Sequence, residues 1–135
     1  MRTHVEFRSS EFPAEPGEDE QVNPGRHGRL LATYIRDQLA ACGLATREPL
    51  AEDWGWLVPI ENPNFPLWVG CGNYEEYPDG FLCFIEPSRP TIRRLFRKID
   101  TTAVVDRVSQ ALGAALQSHP GIRDVRWWSE TDARV

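Results

Sequence analysis

The chain has 135 residues, a formal net charge of -5 and an apolar fraction of 41%. This length predicts a single domain whose core needs neither disulfides nor metal, and the composition excludes an intrinsically disordered chain. No apolar run approaches the roughly 18 residues needed to cross a bilayer, and residues 1–10 alternate charged with apolar groups, so we expect neither a membrane span nor a signal peptide.

The three cysteines indicate reduced thiols in a cytoplasmic protein. Cys42, Cys71 and Cys83 are an odd number at wide spacings, without a CxxC pair or paired histidines that would complete a zinc site. Cys71 and Cys83 lie in apolar segments, where burial makes a thiol unreactive, so we interpret them as structural.

The N-terminal segment is predicted to be a strand followed by a long acidic loop. Val5 and Phe7 alternate with charged residues, which is the period of two of a strand with one buried face. Prolines and a glycine then break any regular pattern over residues 13–22. Residues 11–23 carry five acids and no base, so this loop is either functional or mobile.

The first long helix is predicted to begin at Asn23-Pro24 and to run to Cys42. An asparagine side chain can accept from the free amides of a helix start, and proline is well placed at the first helical position. Leu31, Ile35 and Leu39 form its apolar stripe, and Gly43 ends it.

Three consecutive antiparallel strands are predicted next, over residues 54–60, 67–74 and 81–85. Large apolar residues occupy every second place in the first, and prolines and glycines separate the three. The apolar residues of segment 91–99 recur at helical spacing, which predicts a short amphipathic helix. A second long helix should begin at Thr101 or Thr102 and end at Pro120-Gly121, and residues 122–128 form the last strand.

The predicted order is therefore β, α, β, β, β, short α, α, β. We expect an α+β fold, with a mostly antiparallel sheet of about five strands and the two main helices on one face. Half-buried strands joined by short turns fit this arrangement better than a parallel, doubly wound sheet.

The first candidate site is the predicted helix start. Free amides there attract anions, and basic side chains beside them would strengthen a phosphate or carboxylate site. The preceding acids are equally able to supply the anion within the chain, and we favour that interpretation over an external ligand. The residues concerned are Glu18, Asp19, Glu20, Arg26 and Arg29.

The second candidate site combines acids with aromatic residues near the ends of adjacent strands. Such a group could hold a cation or supply paired carboxylates for acid–base catalysis. The interpretation we favour is that the tryptophans belong to the core and the acids solvate two turns. The group consists of Glu52, Asp53, Trp54, Trp56, Tyr74, Glu75, Glu76, Tyr77 and Asp79.

Two further features bear on partners. Residues 89–98 hold five bases and no acid, but exposed stacking aromatics are not interleaved with them, so we expect no nucleic-acid binding. This segment is interpreted as a solvated helix face, or one that meets the acidic loop of the same chain. Trp127 and Trp128 point to opposite faces of the last strand, so Trp128 is a possible interface anchor.

Three stretches carry a resemblance, namely residues 17–25 (GEDEQVNPG), 52–56 (EDWGW) and 70–87. On these residues the sequence resembles a group of small bacterial proteins that are generally labelled hypothetical, and the resemblance covers most of the chain. It implies a bacterial, cytoplasmic protein and carries no activity, cofactor or catalytic residue.

The leading functional hypothesis is a small non-enzymatic binding protein, an adaptor, antitoxin-like or immunity-like module, whose acidic loop and aromatic–acidic group hold a basic protein partner. The histidines are scattered and no GxSxG elbow occurs, so no catalytic residue is assigned. The alternative is a small hydrolase or transferase that uses Glu52, Asp53 or Glu75 as acid or base, with an anion near Arg26 and Arg29. Type III secretion chaperones, also small, acidic and α/β, offer a third analogy. We expect a monomer or homodimer without cofactor, metal, nucleic acid or membrane.

Overall fold

The computed structural model describes residues 1–74 and 76–130, so Glu75 lies outside the described residues. The central element is a six-stranded sheet. Its strands are β1 (His4–Arg8), β2 (Leu50–Glu52), β3 (Gly55–Ile60), β4 (Leu67–Asn73), β5 (Gly80–Glu86) and β8 (Arg123–Trp128). Their order across the sheet is β2-β3-β4-β5-β1-β8, and every neighbouring pair is antiparallel.

The two helices, α1 (Arg29–Ala41) and α2 (Thr102–Gln117), pack against one face of this sheet and against each other. Alternate strand residues such as Val58, Val69 and Ile85 point to that face and are fully buried, because the strand period of two sends every second side chain into the core. This arrangement confirms the predicted α+β class, with six strands in place of about five.

The first helix begins later than predicted. Asn23 does not cap it, because residues 23–27 are held as a loop along the end of β4. The side chain of Asn73 accepts from the amide of His27 and donates to the carbonyl of Gly25. Gly25 has a φ of 83°, which interrupts any helix at that point. The helix therefore begins at Arg29, after Gly28.

Segment 91–99 is a β-hairpin, so the predicted short helix is wrong. β6 (Thr91–Arg94) pairs with β7 (Arg97–Asp100), and Ile92 lies directly opposite Ile99. These two isoleucines pack at the margin of the core. Ile92 and Ile99 are seven residues apart, a spacing that fits either one face of a helix or two facing positions of a hairpin with a two-residue turn. Here the turn residues are Leu95 and Phe96.

The short edge strand β2 was not predicted. Its three residues are all exposed and follow Pro49, so no alternation of buried and exposed positions marks it in the sequence. Neither helix of the described residues has the length and apolar character needed to cross a bilayer.

Candidate functional site

The acidic loop is anchored inside the molecule by one of its acids. Glu18 is 2% exposed, and its Oε2 accepts hydrogen bonds from the amides of Gly28 (2.8 Å) and Arg29 (2.9 Å) and from the Trp56 indole (2.8 Å). Its Oε1 accepts from the amide of Glu15 at 2.9 Å. The carboxylate therefore occupies the start of α1, which lies after the helix start that the sequence predicted at Asn23.

Hydrogen bonding keeps this buried carboxylate ionised. Burial on its own raises the pKa of Glu18, but the donors from Glu15, Arg29, Gly28 and Trp56 together outweigh burial and hold the pKa below its ordinary value. The helix start adds a positive dipole end beside the charge. Glu18 is thus a structural ion that fastens the loop to α1 and β3.

Gly28 allows this junction to form. A Cβ atom at Gly28 would lie 2.6 Å from the carbonyl oxygen of Cys71, so only glycine lets the start of α1 approach the backbone of β4 this closely. Cys71 and Cys83 are fully buried across from each other, with sulfurs 3.9 Å apart. The contact with Cys83, together with burial, raises the pKa of Cys71.

Of the other residues of the first candidate site, Arg29 joins the Glu18 network through its backbone amide. Asp19 and Glu20 are exposed in a short 3-10 helix (Glu18–Glu20). Arg29 is exposed, 3.8 Å from Glu15 and over the ring of Trp56. Arg26 is half-buried, and its amide donates to Asn23.

The second candidate site is divided among different parts of the fold. Glu52 and Asp53 are exposed where β2 turns into β3, and Trp56 is in the core. Tyr74 and Glu76 border a separate cleft of about 210 Å³ beside Arg8 and Arg126. Glu75, which belongs to the same predicted group, lies outside the described residues.

Near that cleft, Asp79 and Tyr77 contact arginines of β1 and β8. Asp79 bonds both Arg8 (2.9 Å) and Arg123 (2.7 Å), and these bonds, the one to Arg123 first, lower its pKa. The guanidinium of Arg8 lies 4.3 Å above the ring of Tyr77. These acids and aromatics therefore bridge strands of the sheet.

A row of half-buried rings crosses the sheet face opposite the helices. Trp54 contacts Phe84 at 5.0 Å, Phe84 contacts His4 at 5.8 Å, and His4 stacks on Trp128 at 4.4 Å. Trp68 joins both Trp54 and Phe84. Burial lowers the pKa of His4, despite Glu130 nearby, so its ring is held in the neutral form. Trp128 is part of this row, while Trp127 packs at the core beside α2.

The β6–β7 hairpin carries the most exposed apolar side chains among the described residues. Leu95 is 94% exposed and Phe96 100% exposed, at the tip. Arg93, Arg94, Arg97 and Lys98 flank the tip and are all exposed. The structure thus exposes two residues that the helix prediction had placed on a buried stripe.

The tip also has a strained backbone. Leu95 has a φ of 57°, in the left-handed region that a leucine rarely adopts and that glycine usually occupies in two-residue hairpin turns. Leu95 therefore combines an uncommon backbone conformation with a side chain that is almost fully exposed. The sequence signals that could have identified this site were the run of bases and the β-branched residues on each side.

An apolar cleft of about 400 Å³ lies close to the hairpin, on the sheet face opposite the helices. Leu50 and Leu57 are cross-strand neighbours there, as are Pro59 and Trp68. Arg94 of the hairpin borders the same cleft, and its Nη1 donates to the carbonyl of Asn64 at 3.0 Å.

No group of three or more His, Cys, Asp or Glu side chains within residues 1–74 and 76–130 is arranged to hold a metal ion. Comparisons of the chain with protein-family models, with curated proteins and with solved structures found no match.

Proposed function

We propose that this chain is a non-enzymatic binding protein whose β6–β7 hairpin inserts its Leu95–Phe96 tip into an apolar pocket with an acidic rim on a partner protein. The observation that carries the proposal is the nearly complete exposure of both tip residues on a strained turn. An aromatic anchor surrounded by arginines has the composition of an interface hot spot.

The charge of the hairpin supports a partner with an acidic surface. The chain as a whole is acidic, with a net charge of -5, but residues 89–98 contain five bases and no acid. Complementary charges steer association and exclude basic competitors. The sequence predicted a basic partner that binds the acidic loop. We propose an acidic partner instead, because Glu18, in the middle of that loop, is buried and bonded within the fold.

The proposal places this binding protein in the bacterial cytoplasm. Three cysteines at wide spacings, two of them buried as free thiols, suit a reducing compartment. The resemblance of residues 17–25, 52–56 and 70–87 to small bacterial proteins supports the same setting.

The proposal is tested by retention on an immobilised random copolymer of glutamate and tyrosine, which offers acids and apolar rings together. The protein is loaded at low concentration and neutral pH, so that no other protein molecule covers the hairpin. We expect the wild type to be retained although it is itself acidic, Phe96→Ser to be retained more weakly, and Arg93→Gln/Arg97→Gln to elute at lower salt.

The matched control is Arg2→Gln/Arg107→Gln, which makes the same change in net charge at exposed sites outside the hairpin. This variant should elute with the wild type. If the wild type passes through unretained, or if the two double variants elute together, the hairpin is not the binding element.

A further inference from the structure

We infer that the hairpin binds a phosphomonoester group of its protein partner, in a basic cleft formed by Arg89, Arg93 and Lys98. This inference rests on the proposed function, since it identifies the anion that lies beside the inserted tip. The basic cleft shares no residue with the apolar cleft that Arg94 borders.

The basic cleft has a volume of about 380 Å³, within the range of pockets that hold small ligands. The described residues that line it are Arg89, Thr91, Ile92, Arg93 and Lys98, so three bases and a hydroxyl group meet there without an acid. An arginine offers paired donors that match the oxygens of a phosphate, and a lysine adds a compact positive charge. This lining has the chemistry of an anion site.

Contacts with the rest of the fold hold the hairpin in place. Ile92 and Ile99 pack at the margin of the core. The buried Thr101 donates through its hydroxyl to the carbonyl of Arg89 and through its amide to the carbonyl of Pro90, which fixes the start of the hairpin. Because side chains alternate along a strand, the neighbours of the two isoleucines point away from the core.

Arg93 and Lys98 lie directly opposite each other on this outward face, and both are exposed. Neither side chain has an ion pair or a hydrogen bond to another described residue, whereas Arg36, for example, is paired with Glu48. Like charges at facing positions of a β-ladder destabilise it. The pair therefore costs stability unless an anion lies between the two charges.

Two acids of neighbouring segments offset only part of the charge of the basic cleft. The carboxylate of Asp100 accepts a hydrogen bond from the amide of Thr102 at 2.8 Å, at the start of α2. Glu86 interacts electrostatically with Arg89. The charge left for a ligand is thus mainly that of Arg93 and Lys98.

This charge favours a phosphomonoester over a carboxylate. A carboxylate has one charge and two oxygens, whereas a phosphomonoester has about -1.5 to -2 charges at neutral pH and three acceptor oxygens. One such group can contact both Arg93 and Lys98 and offset the repulsion between them. The apolar tip beside the cleft favours a phosphorylated protein over free phosphate, since Leu95 and Phe96 would be buried in the same contact.

Titration with phenyl phosphate, followed by the amide resonances of residues 89–98 in nitrogen–proton correlation spectra, tests the inference. We expect saturable shifts centred on Arg93 and Lys98. Methyl phenyl phosphate, the corresponding diester, has one charge less and should bind at least ~10-fold more weakly. Equal binding of the two esters would indicate a diester backbone such as that of a nucleic acid and would overturn the inference.

Arg93→Gln should raise the dissociation constant of phenyl phosphate at least ~10-fold, the effect of losing a charge-assisted hydrogen bond. Arg97→Gln, on the opposite face of the hairpin, should raise it less. Arg107→Gln, at an exposed site of α2, is the control and should leave it unchanged. Because Arg93→Gln removes one of two facing like charges, its thermal midpoint should equal or exceed that of the wild type. Weaker binding without a lower midpoint distinguishes an anion site from a structural role of Arg93.

The copolymer of glutamate and tyrosine separates two sources of the phosphate, because its tyrosines can be phosphorylated. We expect the phosphorylated copolymer to retain the wild type to higher salt than the unphosphorylated one, and Arg93→Gln to gain less from phosphorylation. Vesicles of phosphatidylcholine and phosphatidic acid present a phosphomonoester on a lipid instead. Sedimentation of the protein with these vesicles, without a gain on the phosphorylated copolymer, would assign the phosphate to a membrane and overturn the inference.

Two further results would overturn it: no saturable shift with phenyl phosphate, or equal binding by the wild type and Arg93→Gln. In either case, retention on the unphosphorylated copolymer that is lost in the hairpin variants would leave the proposed function standing, with carboxylates as the acids of the partner. Absence of that retention would remove the proposed function, and with it the protein partner, whether or not phenyl phosphate binds.

Discussion

At the scale of single residues, Glu18 shows how this chain keeps a charge in its interior. Its side chain is 2% exposed, yet both of its oxygens accept hydrogen bonds, three of them on Oε2. A buried carboxylate without such donors would become protonated, and the same donors without the carboxylate would be left unsatisfied. The charge and its donors therefore stabilise the fold only as a set.

We expect Glu18→Gln to lower the free energy of unfolding by about 2–4 kcal/mol. The amide nitrogen of glutamine cannot accept, so it would face N–H groups that now donate to a carboxylate oxygen. Urea unfolding followed by tryptophan fluorescence measures the difference. Glu20→Gln is the matched control in the same loop, and because Glu20 is exposed, its effect should stay within about 0.5 kcal/mol.

The pH dependence of the two proteins should also differ. Because the pKa of Glu18 is lowered in the folded state, the unfolded chain takes up the proton first as the pH falls. The stabilisation by Glu18 is thus complete above its ordinary pKa of 4.5 and is lost as the pH falls through the folded value. The wild type should lose its advantage over Glu18→Gln in that window, and parallel curves would contradict the ionised assignment.

The sequence indicated that an acid of the loop provides the anion at the start of the helix. It did not indicate that this acid is Glu18. Asn23-Pro24 has the form of a helix start, so the expected anion site lay about one turn too early. What moved it was a set of long-range contacts, from Asn73 to the loop and from Glu18 to Gly28. Local propensity carries no information on contacts 10 or 46 residues apart.

At the scale of elements, the strands with one buried face were predictable and the hairpin was not. Buried and more exposed residues alternate along most of β1, β3 and β5 because the helices cover one side of the sheet. In the hairpin, two apolar residues are exposed at the tip. Together with Ile92 and Ile99 they have the spacing of the apolar face of a helix. An element whose apolar residues face outward misleads any prediction that places them inside.

Leu95→Gly should make the folded monomer more stable by about 0.5–1 kcal/mol. A non-glycine residue in the left-handed region costs about 1–2 kcal/mol, while glycine costs about 0.5–1 kcal/mol in conformational entropy. Phe96→Gly carries the entropy cost without relief of strain, because Leu95 and Asp124 are the non-glycine residues with positive φ in the described chain. That variant should be slightly less stable than the wild type.

Both variants are measured by urea unfolding at low protein concentration, since any binding by the folded state would stabilise the wild type by mass action. Retention on the glutamate–tyrosine copolymer should weaken in both, because each loses an apolar side chain of the tip. A Leu95→Gly protein less stable than Phe96→Gly would show that the turn is not strained.

At the scale of the whole molecule, charge is separated along the sequence and again in space. Residues 48–88 are acidic and build β2 to β5, and residues 89–98 are basic and build most of the projecting hairpin. The sequence showed that the charge is unevenly distributed. It did not show that the basic segment projects from the fold as a hairpin beside a largely apolar cleft, since that depends on the path of the chain after β5.

This separation predicts how retention on the glutamate–tyrosine copolymer responds to salt. We expect the wild type to be retained at about 50 mM NaCl and released before about 500 mM, because exposed charge pairs are screened beyond a Debye length of roughly 4 Å at the higher concentration. Elution in a salt gradient measures this, and Arg93→Gln/Arg97→Gln should elute at lower salt than the wild type. Apolar contact alone would predict unchanged or stronger retention as salt increases, so that outcome would assign the contact to the tip residues without their arginines.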